Sequence, residues 1–174
     1  MSSKFSRLDF LRFSALGASS LLIPRALTAA EAPKKAKKGD VNDKINIGFI
    51  GLGQQAIHLV NGFLTIPEVR VIAGCDIYDI KRDRFVERVN KYYAEKGIKN
   101  KLDMYIKYED LLAREDIDAV VIATPDHWHA AIAIAACKAG KDVYLEKPLT
   151  FTVYEGQRLI EAVRANNRIL QVGS

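Results

Sequence analysis

A short apolar stretch that runs into a glycine pair restricts the fold of this chain more than any other segment. Residues 45–50 are rich in β-branched side chains and form a run that fits one buried strand and is too short for a buried helix. Gly51-Leu52-Gly53 interrupts the run, and from Gln55 onward the apolar residues recur at helical spacing. The segment therefore predicts a strand, a tight glycine turn and a helix.

The small residues of this turn have separate physical functions. Gly51 permits a tight turn, Gly53 lets a phosphate approach the backbone because it lacks a Cβ, and Ala56 allows the helix to pack closely on the strand. The first N–H groups of the helix lack internal partners and suit a pyrophosphate. Asp76 ends the next apolar run, where a dinucleotide-binding unit places a carboxylate on the ribose hydroxyls. An ordinary glycine turn is the alternative, but this context favours a dinucleotide site.

The same carboxylate bears on the choice between NAD and NADP. Asp76 can accept hydrogen bonds from both ribose hydroxyls, whereas a 2′-phosphate would meet like-charge repulsion there. Arg82 lies close enough in sequence to relieve that repulsion. We expect NAD as the cofactor in preference to NADP.

Apolar runs alternate with helical patterns along the rest of the chain. Strand-like runs lie at 69–75, 104–106, 119–124, 142–145 and 169–172, and helical patterns lie at 80–96, 108–114, 127–139 and 150–167. In the last helix we predict Thr150 or Thr152 as the cap and Leu159, Ile160 and Val163 as the inner face. The alternation predicts an α/β fold, a doubly wound parallel sheet (Rossmann fold) with strand order 3-2-1-4-5-6. A ligand crevice is expected beyond the carboxyl ends of strands 1 and 4.

The basic character of the chain is confined to its first residues. Of the 26 Lys and Arg residues, eight lie in residues 1–38 beside two acidic residues, while residues 39–174 hold 18 basic and 19 acidic ones. Because the apolar part is nearly neutral and shows no basic stripe with interleaved aromatic residues, nucleic-acid binding is not expected. Cys75 and Cys137 have neither a metal nor a redox spacing and are expected to be buried thiols.

Residues 1–30 have the composition of an export signal. A positively charged start precedes a modest apolar run, too short for a stable membrane anchor, and small residues for cleavage. Residues 6–12 resemble a twin-arginine signal in which Leu8 replaces the second arginine. We expect export to the periplasm, or a cytoplasmic location if Leu8 disables the signal; an amphipathic N-terminal helix is the alternative. Residues 31–43, with Pro33 and four lysines, form an expected basic linker.

Two polar loops are expected beside the crevice. Thr-Pro-Asp-His-Trp-His at 124–129 follows strand 4, and Glu-Lys-Pro at 146–148 follows strand 5. A lysine next to a carboxylate at a nucleotide site can orient a substrate hydroxyl or help to move its proton. The alternatives are a solvated ion pair in the second loop and capping of a helix N-terminus by the histidines. The two histidines do not share a helix face and have no third ligand, so no metal site is expected.

Together, the glycine turn at 51–53, the Ala-Thr-Pro-Asp-His-Trp-His run at 123–129 and the Glu-Lys-Pro at 146–148 resemble the Gfo/Idh/MocA oxidoreductase family. The resemblance covers residues 44–174 and implies a bound nicotinamide dinucleotide. In the family pattern, the pyrophosphate is held by Gly51, Leu52, Gly53, Gln54, Gln55 and Ala56, and the adenosine ribose by Asp76. The cofactor's other half is lined by Thr124, Pro125, Asp126 and His129, where the family more often has asparagine in place of Asp126. Glu146 and Lys147 lie near the nicotinamide, with Lys147 as the catalytic lysine that contacts the substrate.

The implied activity is hydride transfer between a secondary alcohol carbon of a sugar or cyclitol and NAD. The family's redox-neutral NAD-dependent glycosidases are an alternative, and a non-catalytic nucleotide-binding fragment is another. Family members continue into a C-terminal domain that supplies most of the sugar pocket, so the resemblance implies a fragment or truncated product of a longer parent, for which a homo-oligomer is one expected state. This chain alone is then expected to bind the dinucleotide without turning over sugar.

Overall fold

The computed structural model describes residues 44–173, so the predicted export signal at 1–30 and the predicted linker at 31–43 lie outside the described residues. Strands and helices alternate along the described part of the chain. The order is β1 (Ile45–Ile50), α1 (Gln54–Leu64), β2 (Val69–Cys75), α2 (Asp79–Glu95), β3 (Asp103–Tyr105), α3 (Tyr108–Leu112), β4 (Ala119–Ile122), a 3₁₀ turn (Asp126–Trp128), α4 (His129–Lys138), β5 (Asp142–Leu145), α5 (Val153–Ala165) and β6 (Leu170–Val172). No helix within residues 44–173 is long and apolar enough to span a bilayer.

The six strands form one parallel sheet in the order β3-β2-β1-β4-β5-β6, which confirms the predicted topology. β1 lies between β2 and β4, and Phe49 is paired with Gly74 on one side and Val121 on the other. The direction of winding reverses between β1 and β4, which leaves a crevice beyond their carboxyl ends. Residues that follow β1, β2, β4 and β5 therefore come together at one edge of the sheet.

Apolar side chains cover both faces of the sheet. One cluster joins α1 and α2 to the strands around Phe49 and Phe85, whose ring centroids are 5.3 Å apart. A second cluster joins α4 and α5 to the strands and contains Ile50. Phe49 and Ile50 enter different clusters because successive strand residues point to opposite faces. Burial on both faces explains why β4 is a continuous apolar run. Cys75 and Cys137 are buried free thiols, as predicted.

Helix α5 begins at a capping box. The Thr152 hydroxyl accepts a hydrogen bond from the Glu155 N–H at 3.2 Å, and the Glu155 carboxylate accepts one from the Thr152 N–H at 2.9 Å. Of the two predicted caps, Thr152 is the one used. The predicted inner face is wrong at Ile160, which is 48% exposed, while Leu159 and Ala162 are buried. A helix turns by about 100° per residue, so the neighbour of an inward residue points away from the core.

Candidate functional site

The chain leaves β1 through a turn that requires glycine at its first position. Gly51 has φ +82°, and a Cβ there would lie 2.8 Å from the carbonyl group of Ala123 and from the Thr124 methyl carbon. Both the backbone angle and the close approach of β4 therefore exclude a side chain. Gly53 differs, because its backbone is extended and, its chain neighbours aside, no atom of residues 44–173 lies within 4 Å of the place that a Cβ would take. Gly53 leaves open space at the start of α1, where no side chain caps the helix.

The Asp76 carboxylate connects this turn to the end of β2. It is 9% exposed, and its two oxygens accept hydrogen bonds from the Leu52 N–H at 2.8 Å and the Tyr78 N–H at 3.0 Å. Lys81 Nζ lies 3.7 Å from the carboxylate. Arg82 donates to the Asp76 carbonyl and to Asp79, so its guanidinium is engaged. A carboxylate has about four acceptor positions, so Asp76 retains capacity for further donors.

A cavity of about 420 Å³ opens beside Asp76. Much of its wall consists of apolar and aromatic side chains that follow the ends of β2, β3 and β4, namely Ile77, Tyr78, Ile106, Tyr108 and Trp128. None of these five residues was predicted as a site residue from the sequence. The signal that could have found them is the position of large apolar residues just beyond strand ends, where a parallel sheet binds its ligands. A flat aromatic group would bury these side chains.

Thr124 lies where this larger cavity meets a smaller one of about 230 Å³. Its hydroxyl oxygen is buried and has no hydrogen-bond partner among the described residues. Buried polar atoms in native proteins nearly always have a partner. Thr124 is therefore a polar residue at the junction of the two cavities whose hydroxyl has hydrogen-bonding capacity that the described residues leave unused.

The smaller cavity is polar. Its lining residues are Gln55, Ala123, Thr124, Asp126, Glu146 and Lys147. Glu146 is only 5% exposed, and its carboxylate accepts hydrogen bonds from Gln55 Nε2 at 3.1 Å and from the Lys147 N–H at 3.2 Å. Within residues 44–173 Glu146 belongs to none of the ion pairs. Its burial makes the alternative of a solvated ion pair with Lys147 wrong.

His129 joins the loop after β4 to the loop after β5. The ring is 1% exposed, with Nδ1 2.7 Å from the Pro148 carbonyl oxygen and Nε2 3.0 Å from the Thr124 carbonyl oxygen. Helix α4 has no side-chain cap, so capping by His127 or His129 is also wrong. That His129 lines the cofactor pocket stays a prediction; here both of its ring nitrogens face backbone carbonyls.

Apart from Gly53 and His129, which are described above, the predicted site residues divide into those that line the larger cavity, those that line the smaller one and those that line neither. Gly51, Asp76, Thr124 and Pro125 line the larger cavity, and Gln55, Thr124, Asp126, Glu146 and Lys147 line the smaller one. Leu52 and Ala56 are buried in the core, and exposed Gln54 accepts from Arg84 at 3.4 Å. Arg84 also donates to the Leu52 carbonyl at 3.0 Å, so it braces the glycine turn from α2. Because Arg84 is far from the glycine turn in sequence, no sequence pattern indicated this contact.

The chain is similar to known oxidoreductases and to curated proteins named as glycosyl hydrolases. Residues 45–174 match the GFO_IDH_MocA family, described as an oxidoreductase family with an NAD-binding Rossmann fold. The chain is 32% identical over 177 residues to glycosyl hydrolase family 109 protein 2 of Shewanella sp. (strain ANA-3), an alignment that covers 95% of this chain and 38% of that protein.

Solved structures with the same fold include two that are more than 25% identical. One is an NAD-binding protein from Listeria innocua, with 32% identity and a TM-score of 0.62 over 75% of this chain and 35% of that one. The other is KijD10, a 3-ketoreductase from Actinomadura kijaniata in complex with NADP and TDP-benzene, with 28% identity and a TM-score of 0.66 over 75% of this chain and 37% of that one.

Proposed function

This chain belongs to the Gfo/Idh/MocA family of oxidoreductases, whose NAD-binding Rossmann fold it carries, and from that premise we propose that it is the NAD-binding part of an enzyme acting on a sugar or cyclitol. The observation that carries the proposal is Thr124, which lines both cavities at the carboxyl edge of the sheet and whose buried hydroxyl has no partner within residues 44–173. The reaction would move a hydride between a secondary alcohol carbon and the nicotinamide.

The residues at the crevice fit a dinucleotide along its length. The apolar wall of the larger cavity suits the adenine, Asp76 the ribose hydroxyls, and the open start of α1 at Gly53 the pyrophosphate. The smaller cavity, with Thr124 and Glu146, suits the nicotinamide end. When bound, the cofactor supplies or accepts the hydride, which no side chain can do.

Lys147 is the residue we assign to proton transfer. Its side chain is exposed on the wall of the smaller cavity, while its backbone N–H is held by the buried Glu146. A lysine side chain on an anchored backbone can orient a substrate hydroxyl. Its neutral amine would accept the hydroxyl proton when the alcohol is oxidised, and its ammonium would return a proton when the ketone is reduced.

The preference for NAD over NADP is part of the proposal. The Asp76 carboxylate would repel a 2′-phosphate, and the Arg82 guanidinium is engaged with the Asp76 carbonyl and with Asp79. Lys81, whose side chain is 37% exposed, only partly offsets the carboxylate. Titration with both cofactors tests the preference, and tighter binding of NADP would contradict it.

A redox-neutral, NAD-dependent glycosidase is the second candidate. It is supported by the 32% identity to a protein named as a glycosyl hydrolase. The chain spans 38% of that relative's length, which supports a further C-terminal domain that completes the sugar pocket. In the longer parent, reduction of NAD by added sugars favours the dehydrogenase, whereas release of a leaving group from an aryl glycoside without net NADH favours the glycosidase.

Replacement of Thr124 tests cofactor binding most directly. Thr124→Val keeps the shape but removes the hydroxyl, so it should weaken NAD binding roughly tenfold by calorimetry. Stability without the cofactor should not fall, because the hydroxyl has no partner to lose in the part of the chain that the structure describes. Thr124→Ser keeps the hydroxyl and is the matched control. Absence of NAD binding by the unsubstituted chain would overturn the proposal.

Export remains a separate proposal, based on the composition of residues 1–30. A fusion of residues 1–40 to a reporter that is active only after export tests it. The substitution Leu8→Arg should raise the signal if a twin-arginine route is used.

A further inference from the structure

The smaller cavity combines a buried negative charge with the predicted position of the nicotinamide. Three of its lining residues are charged, namely Asp126, Glu146 and Lys147, so its wall is net negative. Asp126 and Lys147 are exposed and their charges are screened by water, whereas Glu146 is buried. Glu146 therefore dominates the electrostatic potential inside the cavity.

The partners of Glu146 are those of an ionised carboxylate. Both of its oxygens face N–H donors, from the Gln55 amide at 3.1 Å and the Lys147 backbone at 3.2 Å. Both donors are neutral, and the carboxylate is paired with no cation within residues 44–173. The two hydrogen bonds therefore fix its position without cancelling its charge. The charge also acts on its neighbour: burial first, and the Glu146 charge second, raise the pKa of Tyr144.

A nicotinamide ring carries one positive charge when it is oxidised and none after it has gained a hydride. A poorly screened carboxylate beside the ring attracts the first form and gains nothing from the second. We infer that Glu146 makes this cavity select the oxidised cofactor over the reduced one, an inference that rests on the proposed function. Gln55, 91 residues away in sequence, is the positioning residue that holds the carboxylate at the cavity wall.

Binding of three ligands to the chain tests this inference: NAD⁺, NADH, and ADP-ribose, which lacks the nicotinamide. The unsubstituted chain should bind NAD⁺ more tightly than NADH. Glu146→Gln keeps the size of the side chain and removes its charge, so the ratio of the NADH to the NAD⁺ dissociation constant should fall roughly three- to tenfold. Glu146→Asp keeps the charge and should retain the preference for NAD⁺.

The matched control is Glu161→Gln, a Glu on the exposed surface of α5 that is paired with Arg158 at 2.8 Å. It should leave the ratio unchanged. Binding of both dinucleotides with the same ratio in Glu146→Gln as in the unsubstituted chain would overturn this inference alone. If ADP-ribose binds as tightly as NAD⁺ and NADH, the nicotinamide contributes nothing to affinity, and this result would also overturn the inference.

Failure of the proposed function has a different signature, because the unsubstituted chain would then bind none of the three ligands, which overturns both proposals. If melting curves show that Glu146→Gln does not fold, the test is the affinity of the unsubstituted chain for NAD⁺ relative to NADH. In that case tighter binding of NAD⁺ than of NADH supports the inference, and equal or weaker binding of NAD⁺ overturns it.

Discussion

The backbone N–H of Leu52 donates to the Asp76 carboxylate at 2.8 Å, across 24 residues of sequence. The carboxylate that we expect to bind the ribose therefore also anchors the glycine turn. These two functions can be separated experimentally, because only one of them needs the cofactor.

Replacement of Asp76 should destabilise the chain even without a nucleotide. Asp76→Ala removes the acceptor of two N–H groups, one of them buried, so we expect the free energy of unfolding to fall by about 2 kcal/mol or more. Asp83→Ala removes an exposed carboxylate from α2 and should change it by no more than about 0.5 kcal/mol. Urea unfolding measures both, and equal effects would show that Asp76 has no structural function.

Substitution by alanine should affect the two glycines of the turn differently: Gly51→Ala should lose stability, whereas Gly53→Ala should keep stability and lose NAD affinity. Gly51→Ala forces a side chain onto φ +82° and against Ala123, so we expect a loss of stability of about 2 kcal/mol or more. The Cβ of Gly53→Ala meets no atom of the described chain within 4 Å apart from its chain neighbours, so stability should stay within about 0.5 kcal/mol of the original. Its Cβ should still weaken NAD binding, because it occupies the space expected for the pyrophosphate. Thermal melting and calorimetry distinguish the two effects; unaltered NAD affinity in Gly53→Ala would place the pyrophosphate elsewhere.

Loss of the His129 ring should destabilise the connection between the two loops. His129→Ala removes the ring that lies within hydrogen-bond distance of the Thr124 and Pro148 carbonyl oxygens, to one of which a neutral imidazole donates. It also opens a cavity, so we expect a cost of about 2–4 kcal/mol in urea unfolding. The control is His127→Ala, at an exposed position two residues earlier, with an expected change within about 0.5 kcal/mol. If the two variants have the same free energy of unfolding in urea, the contacts of the His129 ring do not stabilise the fold.

Alkaline pH should weaken the fold through Cys75. Burial, assisted by the charges of Asp76 and Glu109, raises the pKa of this thiol from 9.0 to about 12. Below pH 9 the thiol is protonated in both the folded and the unfolded chain. As pH rises toward 12 the unfolded chain loses the proton and the folded chain keeps it, so the free energy of unfolding falls by about 1 kcal/mol per pH unit.

The variant Cys75→Ala isolates that contribution. Its stability should fall less steeply than that of the unsubstituted chain between pH 9 and pH 11, measured by urea unfolding in a reductant. Tyrosines and Cys137 titrate in both proteins and so cancel in the comparison. Parallel pH profiles would contradict the expected contribution of Cys75.

Much of the fold was predictable because the amino-acid composition of its strands and helices indicates which of their faces are buried. β4 is an apolar run that needs cover on both faces, and the helical patterns between the strand-like runs leave a parallel sheet as the simplest arrangement. Ile160 shows the limit: it is apolar and next to Leu159, yet helix geometry assigns the inward position to Ala162.

The site was predictable where its residues lie in motifs and unpredictable where they act singly. Gly51, Asp76, Thr124 and Glu146 follow strand ends in patterns that the sequence displays. The wall of the larger cavity comes from isolated side chains in three loops, such as Ile77 and Ile106, and no pattern joins them. The hydrogen bonds of His129 also depend on two loops that only the folded sheet brings together.

The central position of β1 affects when the crevice can arise during folding. Parallel strands cannot pair through a hairpin, and the Asn46 N–H finds the Asp118 carboxylate 72 residues later, a kind of contact that slows folding. The Gln55–Glu146 bond spans 91 residues, so the smaller cavity has no complete wall until β5 has joined the sheet. A nascent chain that stops before β5 would therefore lack the proposed nicotinamide site. The dinucleotide would therefore bind late in folding, after the sheet is complete. It would stabilise the folded chain by mass action and would not serve as a template for the sheet.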